Sequence, residues 1–187
     1  KNIFYIGNAY CFHLFPKKTQ LEAMLEKTWG DHIFPVCVFA PVEEKDLIKI
    51  EEILKLLSDW CQNKCVKIEL VINDWGMAGL IRKKYPNQFL LTLGCLLSKQ
   101  RRDTRMKYVN RNDNEFSKEK KSDRCSILTD SYLAKHFNIT RVSFQNSGID
   151  QSFFTPDSMI GMTLHFPYFQ MNTSGWCPLF GNALQRQ

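Results

Sequence analysis

The chain contains no stretch of about 18 or more consecutive apolar residues, the length a helix needs to cross a bilayer, so no membrane span is expected. Its opening, Lys1-Asn2 and then a strand-like run, has neither the charged start nor the small-residue cleavage site of a secretory leader. No initiator Met precedes it, so an upstream part is expected to have been removed or lost. A disulfide framework calls for an even cysteine set in a small secreted chain. Here seven cysteines lie at scattered positions, which points to reduced thiols in a cytoplasmic protein. No Gly-rich dinucleotide or phosphate loop follows the first strand, which argues against a doubly wound nucleotide-binding sheet. Internal repeats are absent, and no Ser or Cys nucleophile has an evident base.

What is present is enough apolar material for one core. The 187 residues are 44% hydrophobic and 13% aromatic, which excludes wholesale disorder and suits a single domain over 1–187. The net charge of +6 is concentrated in one place. Ser98–Arg124 holds ten basic and five acidic residues, so this stretch carries +5 and the other 160 residues only +1. It is too long and too charged for an ordinary connection, and is expected to be a mobile basic insertion.

The organising unit runs from Val66 to Arg105. Val66–Ile72 is β-branched and apolar and stops at Asn73-Asp74; Ala78, Leu80 and Ile81 give a short helix an inner face; Tyr85-Pro86-Asn87 ends it. Phe89–Leu97 then has the near-continuous hydrophobicity of a strand buried on both faces. Upstream, strands are expected over Asn2–Cys11 and Ile33–Ala40. Thr19-x-x-Glu22 has capping-box spacing, with Leu21, Met24, Leu25 and Thr28 on one face and Gly30 as the stop. The clearest helix lies between Glu43 and Gln62, where Leu47, Ile50, Ile53, Leu54, Leu57, Trp60 and Cys61 recur at three- and four-residue steps. Downstream come a helix from Leu128 to Phe137, a strand Thr140–Phe144 and a last strand Met159–Phe169. Strands alternating with helices predict a parallel sheet with right-handed crossovers. Six strands are two short of a closed eight-stranded barrel, so the expected fold is α/β: an incomplete parallel β/α barrel with a long basic loop after its fourth strand.

In such a sheet the chemistry belongs to the loops at the carboxyl ends of the strands. Asn73 and Asp74 fall there and can orient a substrate or act as a base, although capping the next helix is the commoner use of such an Asp. Arg101, Arg102 and Arg105 can grip phosphate or carboxylate groups bidentately, or merely solvate a loop. His165 lies on the last strand, either as a hydrogen-bonded structural residue or as a substrate contact. Cys61-x3-Cys65 loosely has metal spacing, but Cys61 continues an apolar helix face. Cys37 and Cys95 are expected inside buried strands as inert hydrophobes. Cys177, in an irregular loop beyond the last strand, is a fair place for a cluster ligand or a reactive thiol.

The strand ending Val71-Ile72-Asn73-Asp74-Trp75-Gly76, the strand after it, and the late run His165-Phe166-Pro167-Tyr168-Phe169-Gln170-Met171-Asn172-Thr173-Ser174-Gly175-Trp176-Cys177 together resemble the collagenase-like peptidase family U-thirty-two. In that family an Asn/Ser-Asp-x-Gly turn precedes the next barrel strand, and a later Pro-Tyr-x-x-x-Thr-x-x-x-Cys segment supplies the first of four cysteines. Asn73, Asp74, Gly76 and Cys177 match. The other cysteines have no counterpart in a chain that stops ten residues after Cys177, and Gly175-Trp176 replaces an Arg often found there. Several relatives are oxygen-independent hydroxylation proteins acting on ubiquinone precursors, transfer RNA or ribosomal RNA, with a 4Fe-4S cluster on the four cysteines. The resemblance thus implies an enzyme whose cluster takes Cys177 and three ligands from sequence beyond this chain. Two further readings stay open. One is a non-catalytic module whose basic loop holds an anionic partner, such as RNA, a carboxylate-bearing molecule or a partner protein. The other is a true peptidase, which needs a nucleophile or metal that the sequence does not place.

Overall fold

Every strand begins where a helix or loop has carried the chain back to the same end of the sheet. A computed structural model of the chain describes residues 2–98, 135–145 and 160–166. Six strands, β1 (Ile3–Gly7), β2 (Phe34–Phe39), β3 (Glu69–Ile72), β4 (Leu90–Leu93), β5 (Ile139–Gln145) and β6 (Gly161–His165), pair in chain order, all parallel. Helices α1 (Lys18–Gly30), α2 (Leu47–Lys64) and α3 (Trp75–Lys84) make the first three crossovers. The sheet curls into a half-barrel with helices between its strands, an incomplete α/β barrel as the strand and helix patterning predicts. Apart from Ser98, the basic stretch 98–124 lies outside the described residues, as does most of the helix expected over 128–137. That helix ends at Asn138, whose φ of +52° is the left-handed turn that stops a helix. No described helix is long and apolar enough to cross a membrane.

Strand alternation divides the sheet into two unlike faces. Toward the helices point Ile6, Cys37, Phe39, Leu70, Ile72, Leu91, Leu93, Val142 and Phe144, which pack with Leu21, Leu25, Ile50, Leu54, Leu57 and Ile81 into one core. Each fully buried aliphatic there contributes about 1.5–3 kcal/mol, so this convex side holds the fold together. The concave face carries Tyr5, Val36, Val38, Glu69, Val71, Thr92, Arg141, Ser143 and Gln145, a mixture of apolar and polar side chains. A bulge keeps β5 in step with this division: Leu91 pairs with Ile139 but Thr92 with Arg141, so Thr140 is the extra residue. Ile139 and Val142 can then both face the helices, although three positions apart. The Thr140 hydroxyl donates to the Leu91 carbonyl at 3.0 Å and closes the irregularity.

Several element ends differ from their sequence-based positions, each for a local reason. The N-cap of α1 (Lys18–Gly30) is Lys17, two residues before the Thr19 of the expected capping box, and its N–H is satisfied by Gln20 Oε1 at 3.1 Å in place of Glu22. Leu21, Leu25 and Thr28 are its buried face, while Met24 is exposed. The clearest helix splits into a single 3-10 turn, Glu44–Asp46, and α2. It closes at Cys65, whose φ of +54° lets the Val66 N–H reach the Cys61 carbonyl at 3.0 Å. Phe89–Leu97 is strand only to Leu93. Gly94 then turns the chain, with the Leu97 N–H on the Gly94 carbonyl, so Cys95 is a half-buried turn residue and not a strand residue.

Candidate functional site

The carboxyl ends of β2 to β4 are clamped by one side chain. Asn73, buried just past β3, donates from Nδ2 to the Phe39 carbonyl at 2.9 Å and accepts the Leu96 N–H on Oδ1 at 3.1 Å. Gly94 makes this contact feasible: a Cβ there would lie 2.1 Å from Asn73 Oδ1. At the end of β1, Gly7 has φ +107° and passes so close to β2 that a Cβ would sit 2.3 Å from the Val38 carbonyl oxygen. Asp74 takes the N-cap of α3, its Oδ1 accepting the Gly76 N–H at 2.9 Å. Its capping role is thus realised in the structure, and the Trp75-Gly76 step serves the helix start.

Over this clamped edge the concave face opens into a cavity of about 430 Å³, within the size range of small-molecule sites. Val38 and Val71, paired across β2 and β3, form its apolar floor. Tyr5 stands at one side, and Ser143, Gln145 and His165 supply polar atoms along the β5–β6 side. The loop after β1 closes over it: Gln145 Nε2 donates to Tyr10 Oη at 3.1 Å, and Tyr10 Oη lies 3.5 Å from Cys95 Sγ. This contact joins the first crossover to the fifth strand across the mouth. The site is a mostly apolar cavity with a few hydrogen-bonding side chains in its lining.

One layer below, toward the amino ends of the strands, the concave face is charged. Glu69 is buried, and an unpaired carboxylate there would be costly. Its Oε1 accepts the Thr92 hydroxyl at 2.7 Å and its Oε2 lies 3.4 Å from Arg141 Nη1. Tyr5 belongs to both layers. Burial, and then the negative charge of Glu69, raise its phenol above the ordinary value of 10.0, against a smaller lowering by Arg141. Glu69, Thr92 and Arg141 are absent from the candidates drawn from sequence. Their signal was a charged or polar residue inside an otherwise apolar parallel strand, Glu69 in Ile68–Ile72 and Thr92 in Leu90–Leu93.

Of the residues singled out from sequence, Asn73, Cys95 and His165 line the cavity, and Asp74 caps the helix that follows Asn73. Arg101, Arg102, Arg105 and Cys177 lie outside the described residues. The described cysteines are dispersed. Cys37 and Cys61 are buried on the helix side, where burial and then the neighbouring Cys61 push the Cys37 thiol far above its ordinary range. Burial likewise raises Cys61, and Cys65 is exposed at the far end of α2. Among the described residues no three His, Cys, Asp or Glu side chains gather as a metal site, so these residues by themselves do not form an iron–sulfur centre. Compared with protein-family models, curated proteins and solved structures, the chain matches none.

Proposed function

We propose that this half-barrel is the substrate-holding part of an enzyme that acts on a flat, largely apolar ring bound in the concave mouth. The observation that carries this reading is the slot itself. The paired valines Val38 and Val71 give it an apolar floor, and Tyr5, Tyr10, Asn73, Ser143, Gln145 and His165 supply polar groups around them. A ring with hydrogen-bonding groups on its edge satisfies both at once, because its faces meet apolar surface and its edge meets donors and acceptors. A peptide chain would instead call for an extended row of backbone partners.

The resemblance to the U-thirty-two family adds a reaction class. Quinone precursors and nucleic-acid bases, the substrates of its hydroxylation relatives, are both rings of this kind. The cluster chemistry of those relatives would draw on Cys177 and on cysteines beyond this chain, and the basic residues Arg101, Arg102 and Arg105 would favour an RNA substrate. Asn73 and Asp74 would then serve by shaping the edge on which the ring rests.

Titration of the full chain with benzamide, an uncharged ring with a polar edge, tests the mouth directly. Binding is expected in the wild type and is expected to be lost in Val71→Trp, whose indole fills the slot, with the helical circular dichroism retained. Equal binding by both proteins would sink the reading. Anaerobic purification of the complete protein with iron and sulfide analysis tests the reaction class: full iron in Cys177→Ala would remove that cysteine from it. Ring binding without any iron would leave the binding-module reading in its place.

A further inference from the structure

Beneath the mouth, the charged layer has a built-in direction. The Glu69 side chain is 8% exposed and that of Arg141 37%, so the carboxylate is the inner partner and the guanidinium the outer one. Thr92 already holds one carboxylate oxygen at 2.7 Å. Arg141 reaches the other through a single nitrogen at 3.4 Å, longer than the roughly 2.7–2.9 Å of a tight charge-assisted bond. A guanidinium has five N–H donors in a fixed fork. Among the described residues this pair is the only ion pair or hydrogen bond its side chain makes. Gly161 of β6 lies opposite, and a Cβ there would only come into ordinary contact with Arg141, 3.4 Å from its Nε.

Arg141 shares its face of β5 with Ser143 and Gln145, which line the mouth. It lies one side-chain layer deeper, about 7 Å along the strand at the usual rise per residue. Tyr5 spans the two layers. The residue is 46% exposed, and its phenol has no hydrogen-bond partner among the described residues. An anion bound here would meet Arg141 before Glu69, whose carboxylate is the more buried of the two and already engaged by Thr92 and Arg141.

We propose that Arg141, braced from behind by Glu69 and Thr92, receives the anionic group of a ligand whose ring lies in the mouth, with Tyr5 as a second donor. The ligand class is then a flat ring carrying one carboxylate or phosphate group. This rests on the reading of the mouth as a ring site and names the class of its substrate.

The test is isothermal titration of the full chain with benzoate, phenyl phosphate, benzamide and inorganic phosphate. Benzoate or phenyl phosphate is expected to bind at least about tenfold more tightly than benzamide, with a preference that weakens as salt is raised. The tighter of the two identifies the carboxylate or phosphate source, and inorganic phosphate alone should bind weakly. Because Arg141→Gln alone would strand the Glu69 charge, the variant to use is Glu69→Gln with Arg141→Gln. It should bring the charged rings to the affinity of benzamide and leave benzamide unchanged. Charged and neutral rings binding alike to the wild type would overturn the inference while leaving the ring site standing, even if the variant fails to fold. Failure of all three rings, benzamide included, would show that the ring site itself is wrong.

Discussion

Asn73 engages both ends of its amide with backbone groups of other segments, the Phe39 carbonyl and the Leu96 N–H, and is buried while doing so. Asn73→Ala leaves both groups short of a partner. The expected loss is about 1–3 kcal/mol of stability in urea unfolding. Gly94→Ala places a Cβ where the Asn73 side chain already is, and should cost at least as much. The two losses should not add. With Asn73 shortened, the added methyl has room, so the double variant should be more stable than the sum predicts by about 0.5–3 kcal/mol. Strict additivity would deny that the two side chains compete for one space. Asp74 is separable from this clamp: Asp74→Ala should lose about 0.5–2 kcal/mol as a missing N-cap, while Asp74→Ser recovers most of it. If Asp74→Ser instead abolished catalysis in a protein of undiminished stability, the carboxylate would have a chemical duty beyond the cap.

Elements are joined to one another by a few side chains on the convex side. Glu26 of α1 accepts from Lys64 Nζ at 2.9 Å and from Trp60 Nε1 at 2.8 Å on α2, while Trp29 stands edge-on to Trp60. The hydrogen bond from Lys64, followed by that from Trp60, holds the Glu26 carboxyl below its ordinary value of 4.5. A lowered carboxyl stabilises the fold above its unfolded value, and that contribution fades as pH falls through the lowered one. Glu26→Gln should therefore be slightly less stable than the wild type at pH 7, with the gap closing on acidification through the carboxylate range. A gap that widened in acid would contradict the assignment. The effect should be small, because the pair is open to solvent.

For the whole molecule, the two faces of the sheet predict an order of chemical reactivity. Cys65 is exposed at the end of α2, Cys11 and Cys95 are half-buried, and Cys37 and Cys61 are sealed between sheet and helices. Among the described cysteines, alkylation at pH 8 followed by peptide mass mapping should modify Cys65 first, then Cys11 and Cys95. Cys37 and Cys61 should react only when the protein unfolds, since burial both covers these thiols and suppresses their thiolates. A bound ring ligand should slow Cys95 without affecting Cys65, because Cys95 lines the mouth and Cys65 does not. Early labelling of Cys37 in the native protein would mean that the helices do not cover the sheet as described.

Alternating apolar strands and amphipathic helices were sufficient to read the parallel order, the outer helices and the incomplete barrel, because burial on both faces writes itself into consecutive residues such as Val36–Phe39 and Leu70–Ile72. The Asn73-Asp74 turn was legible for the same reason, as an abrupt polar stop after an apolar run. The sequence left open whether these two residues act chemically or build the edge, since an Asx residue after a strand suits both. Pairing of distant strands assigned Asn73 to Phe39 and Leu96, and Asp74 to its own helix. The Glu69–Thr92–Arg141 layer was decided only by tertiary structure. Its members are 23 and 49 positions apart in the chain, and each alone reads as an isolated polar residue in a strand. Register and the bulge at Thr140 put Arg141 opposite Thr92, and thereby within reach of Glu69; neither has a local signature. Local pattern reveals which face of a strand is apolar, but only the lateral alignment of strands determines which polar residues meet on the other face.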